Sequence, residues 1–264
     1  MAAKSWYETG FEGAEREQAT RDLGYPPDRW WLRAGDTKEL VFIDDSPFCI
    51  QEHQWRNSDD KWHTATCISK INDAGCPADG ARGVGRPDYV GHTTIIDVTG
   101  YTAKDGTENK YRLMLLPAKT KFLNKLKKKK ENKGSLLGQL WSLSRADSNA
   151  PNTGDDLDHI REINMEKLYP LVTYKGKNIK EMIDRANGKD EDAKRTRAYL
   201  VHHFQIPESG DVPQIIPIFN YAELMAPMEP GALRSLIADA KPFNQTGRSG
   251  NTSSSSFSSD DVPF

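Results

Sequence analysis

No run of eighteen apolar residues occurs in this chain, and Met1–Gly10 contains no apolar segment of the kind that begins a secretory signal. These absences predict a protein that neither spans a membrane nor is secreted, and that works in a cytoplasm. Cysteine is scarce too, because three cysteines in 264 residues are too few for a disulfide framework. The three are therefore expected to be buried thiols or metal ligands.

Several catalytic signatures are also missing. The chain has no HExxH motif, no Gly-rich phosphate loop and no Ser/His/Asp arrangement typical of nucleophilic catalysis. The segment Gly83-Val84-Gly85 lacks the flanking strand and helix that a dinucleotide-binding turn requires. We therefore expect that the protein is not an enzyme.

Positive charge is concentrated in the middle of the chain, although the net charge is only −2. Between Lys119 and Ala150 there are nine lysines and arginines and two acidic residues. The last five residues, in contrast, include Asp260 and Asp261. The basic middle predicts a polyanionic partner, and the acidic end predicts a segment that imitates this partner.

Short β-like segments separated by turn residues predict a fold that is mainly β with added helices. The predicted strands are 39–43, 48–56, 61–69, 92–99, 109–117 and 138–145. A predicted helix at 120–132, with a narrow apolar stripe under a lysine face, falls between the last two strands. A helix at this place in a small β-barrel is the arrangement of an OB-fold, so an OB-fold core is expected over 26–175.

Three further regions are expected around this core. Residues 1–25 are interpreted as an N-terminal arm. Residues 176–243 are expected to form a mixed accessory segment that packs on the core. In the second half of the chain, the predicted elements are a strand near 168–175, helices at 177–187 and 230–240, and strands at 197–206 and 215–219. Residues 244–264, rich in serine and poor in apolar side chains, predict a disordered linker and tail tip.

The lysine-rich helix and the aromatic residues of the core together suggest nucleic-acid binding. Phosphates need several cations on one surface, and single strands also need flat side chains on which their bases stack. The candidate phosphate ligands are Lys119, Lys121, Lys125, Lys127, Lys128, Lys129, Lys130 and Lys133. The candidate stacking residues are Trp31, Trp55, Trp62, Tyr101 and Tyr111. The alternative is that the lysines form a solvated helix face and that most tryptophans belong to the core.

One group of side chains has the spacing of four zinc ligands in which a carboxylate replaces the last thiolate. Its members are His53, Cys67, Cys76 and Asp79. Such a site would be structural and would hold an inserted loop at 67–92. His63 and His92 are close enough in the sequence to compete for the fourth position. The alternative is that the two cysteines are an ordinary strand residue and an ordinary turn thiol.

Two clusters of acidic residues suggest a two-metal nuclease centre as a further alternative. They are Asp44-Asp45 and Asp155-Asp156-Leu157-Asp158-His159. Adjacent acids on a strand point to opposite faces, and both clusters are expected at turns, where aspartate is favoured for local hydrogen bonds. The clusters are therefore interpreted as structural.

The C-terminus joins two carboxylates, an apolar anchor and a flexible tether. Its residues are Asp260, Asp261, Val262, Pro263 and Phe264. This combination suits capture in a basic-rimmed apolar pocket on another protein. We expect these five residues to bind partner proteins.

Several of these motifs resemble known proteins. Asp260-Asp261-Val262-Pro263-Phe264 resembles the acidic tail tip of bacterial single-stranded DNA-binding proteins, which ends Asp-Asp-Ile-Pro-Phe. Other short motifs are similar to those of a family of tailed-phage single-stranded DNA-binding proteins: Gly10-Phe11-Glu12-Gly13-Ala14-Glu15, Arg29-Trp30-Trp31-Leu32-Arg33, Phe42-Ile43-Asp44-Asp45-Ser46-Pro47-Phe48, Glu52-His53 and Cys76-Pro77. The similarity runs from about residue 10 to about residue 240 and is weakest over 176–214.

This resemblance implies an OB-fold with a zinc loop. His53, Cys67 and Cys76 match the zinc positions of the family, and Asp79 stands where a final cysteine is expected. The resemblance also implies a protein that binds single-stranded DNA during phage DNA replication and recombination, in the cytoplasm of a bacterial host. Its tail would recruit replication or recombination enzymes.

The function predicted from these residues is therefore sequence-independent binding and protection of single-stranded DNA. Two alternatives stay open. One is a zinc-ribbon RNA-binding or transcription-associated protein, and the other is a metal-dependent nuclease that acts through the Asp155–His159 cluster.

Overall fold

A computed structural model of the protein describes residues 26–102, 106 and 108–242. The predicted N-terminal arm at 1–25 and the predicted linker and tail tip at 244–264 lie outside these residues. Within the described ranges, no helix combines the length and the apolar character needed to cross a membrane.

The described chain is mainly β-sheet with several helices, as predicted. Its strands are β1 (Thr37–Phe42), β2 (Phe48–Arg56), β3 (Trp62–Thr66), β4 (Asp88–Asp97), β5 (Tyr101–Thr102), β6 (Glu108–Asn109), β7 (Arg112–Lys119), β8 (Gln139–Ser144), β9 (Asp156–Glu162), β10 (Thr173–Tyr174) and β11 (Lys177–Asn178). Nine of them form one sheet in the order β11-β10-β7-β4-β1-β8-β9, and β2, which carries β3, pairs beside β4. Strands β5 and β6 form a separate hairpin.

Strand β4 is the centre of this sheet because both of its edges are paired. One edge pairs with β7 from Val90 to Asp97. The other edge is shared, with β1 beside the end of β4 and β2 beside its beginning. Both faces of β4 are buried from Val90 to Asp97, which explains its nearly continuous run of β-branched and small residues.

The sheet does not close into a barrel. The outer edge of β7 is occupied by β10, through Thr173 and Arg112, and by the segment before β1, through Arg29 and Leu115. That edge is therefore not available to β9, which pairs only with β8 in the described chain. The expected OB-fold barrel is not confirmed, and the observed sheet is open and mixed.

Helix α1 (Thr120–Lys133) lies between β7 and β8, where a helix was predicted. Its Phe122 and Leu126 are buried in a core cluster on one face of the sheet, with Trp141 and Leu116. Its Leu123 packs over Gly91 of β4. The predicted apolar stripe is thus the surface by which α1 binds the sheet.

The second half of the described chain covers the face of the sheet opposite to α1. Its helices are α2 (Met165–Leu168), a 3₁₀ turn (Tyr169–Leu171), α3 (Ile179–Ala186), α4 (Glu191–His203), α5 (Tyr221–Leu224) and α6 (Pro230–Ile237). Ile183 and Phe204 from this part share a core cluster with Val41 and Leu115 of the sheet. The predicted helices at 177–187 and 230–240 are confirmed by α3 and α6.

Two strand predictions in this half are wrong, and a third is confirmed only in part. Residues 197–206 lie mostly in α4, whose first turn is capped by the Asp190 side chain. The strand predicted near 168–175 is reduced to the short β10, because residues 168–171 are helical. Residues 215–219 form no strand, and Phe219 makes only an isolated bridge to Phe204. Pro217 has no N–H to donate to a ladder, which disfavours a strand there.

A buried polar contact joins the two halves. Asp44 accepts hydrogen bonds from the Thr94 backbone N–H and from the Tyr221 hydroxyl. Burial raises the pKa of the Asp44 carboxyl above its usual range, and the bonds from Tyr221 and Thr94 oppose this effect. Both halves therefore share one hydrogen-bond network as well as one core.

The close approach of α1 to β4 predicts the effect of a substitution at Gly91. A Cβ atom there would lie 2.6 Å from Leu123 Cδ2 and 3.1 Å from Pro47 Cβ. We expect Gly91→Ala to lower the free energy of unfolding by about 1–3 kcal/mol in urea titration, through overpacking. Gly231→Ala in α6, with no neighbour within 4 Å, is the control and should be neutral or slightly stabilising. Equal stability of wild type and Gly91→Ala would contradict this packing.

Candidate metal centre and nucleic-acid interface

Four predicted metal ligands converge in the structure. They are His53 from β2, Cys67 directly after β3, and Cys76 and Asp79 from the loop between β3 and β4. Their potential ligand atoms all lie within 4.8 Å of one another. This loop spans residues 67–87 and is called the 67–87 loop below. It is shorter than the predicted 67–92 insertion because β4 begins at Asp88.

The distances within this group fit a tetrahedral ion with zinc-like bond lengths. Such an ion requires separations of about 3.6 Å between its nitrogen and sulfur ligands and about 3.3 Å between nitrogen and oxygen. The observed distances are 3.6 Å from Cys76 Sγ to His53 Nε2 and 3.3 Å from His53 Nε2 to Asp79 Oδ1. The side chains therefore have room for one small cation between them.

The tautomer of His53 also suits a metal ligand. Its ring is fully buried, and its Nδ1 lies 2.8 Å from the carbonyl oxygen of Gly85. Because a carbonyl can only accept, Nδ1 carries the proton and donates it to this bond. The lone pair of Nε2 then faces the cysteines and Asp79, as in metal sites whose histidine is oriented by a backbone carbonyl.

Without a cation, the surroundings disfavour the thiolate form of Cys67. Burial raises the pKa of the Cys67 thiol, hydrogen bonds to Ser69 oppose this effect, and the neighbouring Cys76 and Asp79 add to it. A metal ion reverses this effect because it stabilises the thiolate that binds it. The donor set thus has the chemistry of a cation site.

Two residues of this site were not predicted from the sequence. The Ser69 hydroxyl donates to Asp79 Oδ2, which orients the carboxylate, and the Gly85 carbonyl orients His53. The positions of Cys67 and Cys76 identify the loop, but no motif marks these supporting contacts. Asp79 is 44% exposed, so the group is open to solvent on the side of its carboxylate.

The competing histidines do not join the group. His63 stacks on Trp55 with ring centroids 5.7 Å apart. His92 lies on the opposite face of the sheet, where burial and the charge of Arg29 lower its pKa to about 4. Asp79 therefore occupies the fourth position in the described chain.

The eight lysines predicted to bind phosphates divide by their contacts. Five of them meet oxygens of the protein: Lys119 pairs with Asp88 at 2.7 Å, Lys127 with Glu131 at 3.9 Å, Lys129 with Asp158 at 3.4 Å and Lys130 with Asp45 at 3.0 Å, and Lys125 donates to the Asp155 carbonyl. Lys121, Lys128 and Lys133 are exposed and contact no acidic side chain among the described residues. The uncompensated charge of α1 is therefore smaller than its lysine count suggests.

The predicted stacking residues differ widely in exposure. Trp31 and Trp62 are half-buried, with Arg33 5.9 Å and Arg56 4.9 Å from their ring centroids. Tyr101 is 45% exposed, and Arg112 lies 4.5 Å from its ring centroid. The half-buried Tyr111 packs against the core cluster that contains Tyr174.

Trp55 corrects the prediction made for it. It is fully buried in a cluster with Ile68, Cys76, Val84 and Leu233. Alternation along β2 turns its side chain to the face that the 67–87 loop and α6 cover. Trp55 is therefore a core residue and is not accessible for stacking on bases.

Tyr89 is one of the aromatic residues of the predicted core but is not among the five candidate stacking residues, and it lies between α1 and the four converging ligands. Tyr89 of β4 is 50% exposed and is paired in register with Gln51 of β2, whose carbonyl accepts the Cys67 N–H. One row across three chain segments is thus formed by Tyr89, Gln51 and Cys67. Gly91, two residues along β4, packs under α1, so α1 lies on the same face as this row.

The sequence of β4 carries no periodic signal for the exposure of Tyr89, because the strand is a continuous buried run from Val90 to Asp97. The predicted strand began at residue 92, so Tyr89 was not assigned to a strand face. In the structure, alternation along β4 places Tyr89 and Gly91 on one face.

The Asp155–His159 cluster does not form a common site. Asp155 accepts from the Ala146 N–H, Asp158 pairs with Lys129, and His159 contacts Gln139. Residues 156–162 form strand β9 instead of a turn, and its successive side chains alternate between faces. Within the described ranges, one group of three or more potential metal ligands converges, and it is the group that contains His53.

The predicted partner-binding residues, Asp260 to Phe264, lie outside the described residues. Comparison with known proteins adds nothing to these observations, since no family model, no curated protein and no solved structure matches this chain.

The converging ligands predict that the purified protein binds about one equivalent of a divalent transition metal. We expect Cys76→Ser to lose this metal, since it removes a buried thiolate, and Asp79→Cys to retain it better against a chelator. Elemental analysis and chelator titration measure both effects. Cys49→Ser, at the exposed cysteine outside the group, is the control and should bind as wild type does. Equal metal content in Cys76→Ser and Cys49→Ser would contradict the site.

Proposed function

We propose that this protein binds single-stranded DNA without sequence preference, on the surface between α1 and the 67–87 loop. The observation that carries this proposal is the half-exposed ring of Tyr89 on the sheet face between these two elements. An aromatic ring on a sheet face is a platform on which an unstacked base can lie. The bases of a duplex are already stacked and cannot reach such a platform.

The cations around Tyr89 support the same function. Val90 pairs in register with Lys119, so the start of α1 lies beside Tyr89, and Lys121 is in the first turn. That turn holds no acidic residue and has no side-chain cap, so the positive end of the helix dipole adds to the lysine charge. The 67–87 loop contributes two further cations, Arg82 and Arg86, which are exposed and contact no acidic side chain in the described chain. A phosphate backbone that passes Tyr89 would thus meet the positive charge at the start of α1.

We further propose that the bound metal is zinc and that its role is structural. Two thiolates and an imidazole are ligands that zinc accepts readily, and an aspartate oxygen can complete the tetrahedron. Bound zinc would supply fixed ligand geometry and positive charge at the base of the 67–87 loop. The ion would then hold the loop that carries Arg82 and Arg86, through His53, Cys67, Cys76 and Asp79.

The biological setting of this proposal comes from the resemblance to tailed-phage and bacterial single-stranded DNA-binding proteins. It would be DNA replication and recombination in a bacterial host, with partner enzymes recruited through Asp260–Phe264. The alternative of an RNA-binding or transcription-associated protein uses the same surface. Competition between single-stranded DNA, RNA and duplex DNA in one binding assay distinguishes these readings. The nuclease alternative is not favoured by the scattered contacts of the Asp155–His159 cluster.

Substitution of Tyr89 tests the stacking platform. We expect Tyr89→Ala to weaken binding of a fluorescent dT oligomer by about 5- to 150-fold, because stacking on one aromatic side chain contributes about 1–3 kcal/mol per base. Tyr101→Ala, at a similarly exposed tyrosine on the β5–β6 hairpin, is the matched control and should change the affinity little. Affinity loss in Tyr101→Ala but not in Tyr89→Ala would place the DNA elsewhere.

The contacts of the lysines predict that unpaired and paired lysines contribute differently to the salt dependence of DNA binding. Each phosphate contact to a single strand contributes about −0.7 to the slope of log K against log salt. Replacing Lys121, Lys128 and Lys133 by alanine should therefore make the slope less negative by up to about 2. Replacing Lys129 and Lys130, which pair with Asp158 and Asp45, should have a smaller effect per lysine. Equal effects per lysine would show that these ion pairs do not limit DNA binding.

A further inference from the structure

The end of the described chain packs beside the four converging ligands His53, Cys67, Cys76 and Asp79. Helix α6 and the residues after it, 230–242, lie against the 67–87 loop and the β2–β3 hairpin. We call residues 230–242 the strap. Its contacts are apolar at the helix. Near Lys241 they are backbone hydrogen bonds and an ion pair of the Lys241 side chain with Asp60 at 2.6 Å.

The apolar contact includes a metal ligand. Leu233 of the strap is fully buried in the same cluster as Cys76, together with Trp55 and Val84. Leu236, Ile237 and Ala240 add partly buried surface to this cluster. The packing surface for the strap is therefore formed jointly by strands β2 and β3 and by the loop that carries Cys67, Cys76 and Asp79.

The backbone contacts are equally close to the group. The Lys241 N–H donates to the Arg56 carbonyl at 2.7 Å, and Ala240 forms a bridge with Asn57. A Cβ atom at Gly83 would lie 2.4 Å from the Lys241 carbonyl oxygen, so the strap passes directly over this glycine. Two residues further along, Gly85 accepts the hydrogen bond from His53. One short piece of loop thus contacts the strap at Gly83 and a metal ligand at Gly85.

Besides the apolar packing of Cys76, Ala78 and Val84, few hydrogen bonds tie this piece of loop to the strands. Residues 76–84 are linked internally by turns, such as Asp79 to Cys76 and Val84 to Ala81. The loop is tied to the sheet by the Gly85 N–H bond to the Gln54 carbonyl and by the Trp55–Val84 bridge. A metal ion on His53, Cys67, Cys76 and Asp79 would add a cross-link between loop and strands at the point where the strap packs.

We propose that metal binding and docking of the strap are thermodynamically coupled, so that loss of the metal releases residues 230–242. This rests on the metal site of the proposed function. The metal fixes the surface that receives Leu233, and the docked strap in turn keeps Cys76 and Gly85 in their binding positions. The strap leads directly into 243–264, so the metal state would control where the segment carrying Asp260–Phe264 leaves the protein.

Hydrogen exchange of the full-length protein, zinc-loaded and after removal of zinc with a chelator, tests this coupling. We expect faster amide exchange after zinc removal in peptides covering 67–87 and 230–242. Peptides from β7 and β8 serve as the internal reference and should exchange at unchanged rates. A zinc-loaded protein whose strap exchanges as it does without zinc would overturn the proposal. Faster exchange throughout the chain would overturn it too, because the metal would then support the whole fold.

A second test leaves all four ligands intact. It uses the fact that coupling acts in both directions, so weaker docking of the strap must weaken zinc binding. If strap and metal are coupled, Leu233→Ala must weaken zinc binding, by about 5- to 150-fold for a typical coupling. Leu171→Ala, at an exposed leucine of the 3₁₀ turn, is the control and should bind zinc as wild type does. Wild-type zinc affinity in Leu233→Ala would overturn the coupling while leaving the metal site itself standing. Absence of zinc binding by wild-type protein in direct titration would overturn the metal site, and the coupling with it.

Discussion

Pairing of β4 along both of its edges is the constraint on which the rest of the structure depends. Because β1 and β2 divide one edge and β7 takes the other, the N-terminal strands and α1 are brought to one central strand. The pairing register then sets which side chains share a face. Tyr89, Gln51 and Cys67 stand in a row only because β2 pairs with β4 on one side and with β3 on the other.

Burial on both faces of β4 explains why this arrangement is stable. One face packs α1 through Phe122 and Leu126, and the other packs α3 and α4 through Ile183 and Leu200. Two buried acidic groups are paired across the sheet, in the contact of Arg29 with Glu52 at 2.6 Å and in the network of Asp44 and Tyr221. The four converging ligands form a third centre, where Cys76 lies in a smaller apolar cluster beside the buried His53. A cation there would let a long loop be held by few apolar residues.

Much of the local structure was predictable from the sequence. Strand β2 and helix α1 occupy almost the predicted ranges, since turn residues bound the first and an apolar stripe marks the second. Residues 197–206 were not predictable from hydrophobicity alone, because the run Tyr199-Leu200-Val201 looks the same in a buried strand and in a buried helix face. The signal that distinguishes them lies seven residues or more upstream, in the capping residue Asp190. The open sheet was not predictable either, because the closure of a barrel depends on which distant segment pairs with β7.

Residue type and spacing determined the chemistry available to this protein: a histidine, two cysteines and an aspartate near one loop, a lysine-rich helix and a supply of aromatic rings. Only the tertiary structure decided which of them are usable. It brought Asp79 to the ligand group and kept His63 and His92 away from it, buried Trp55, exposed Tyr89 and paired Lys129 and Lys130 with acidic residues. The physical reason is that composition and periodicity are local properties of the chain. The face, the edge and the ionic partner of a side chain are set by strand pairing and packing between residues far apart in the sequence.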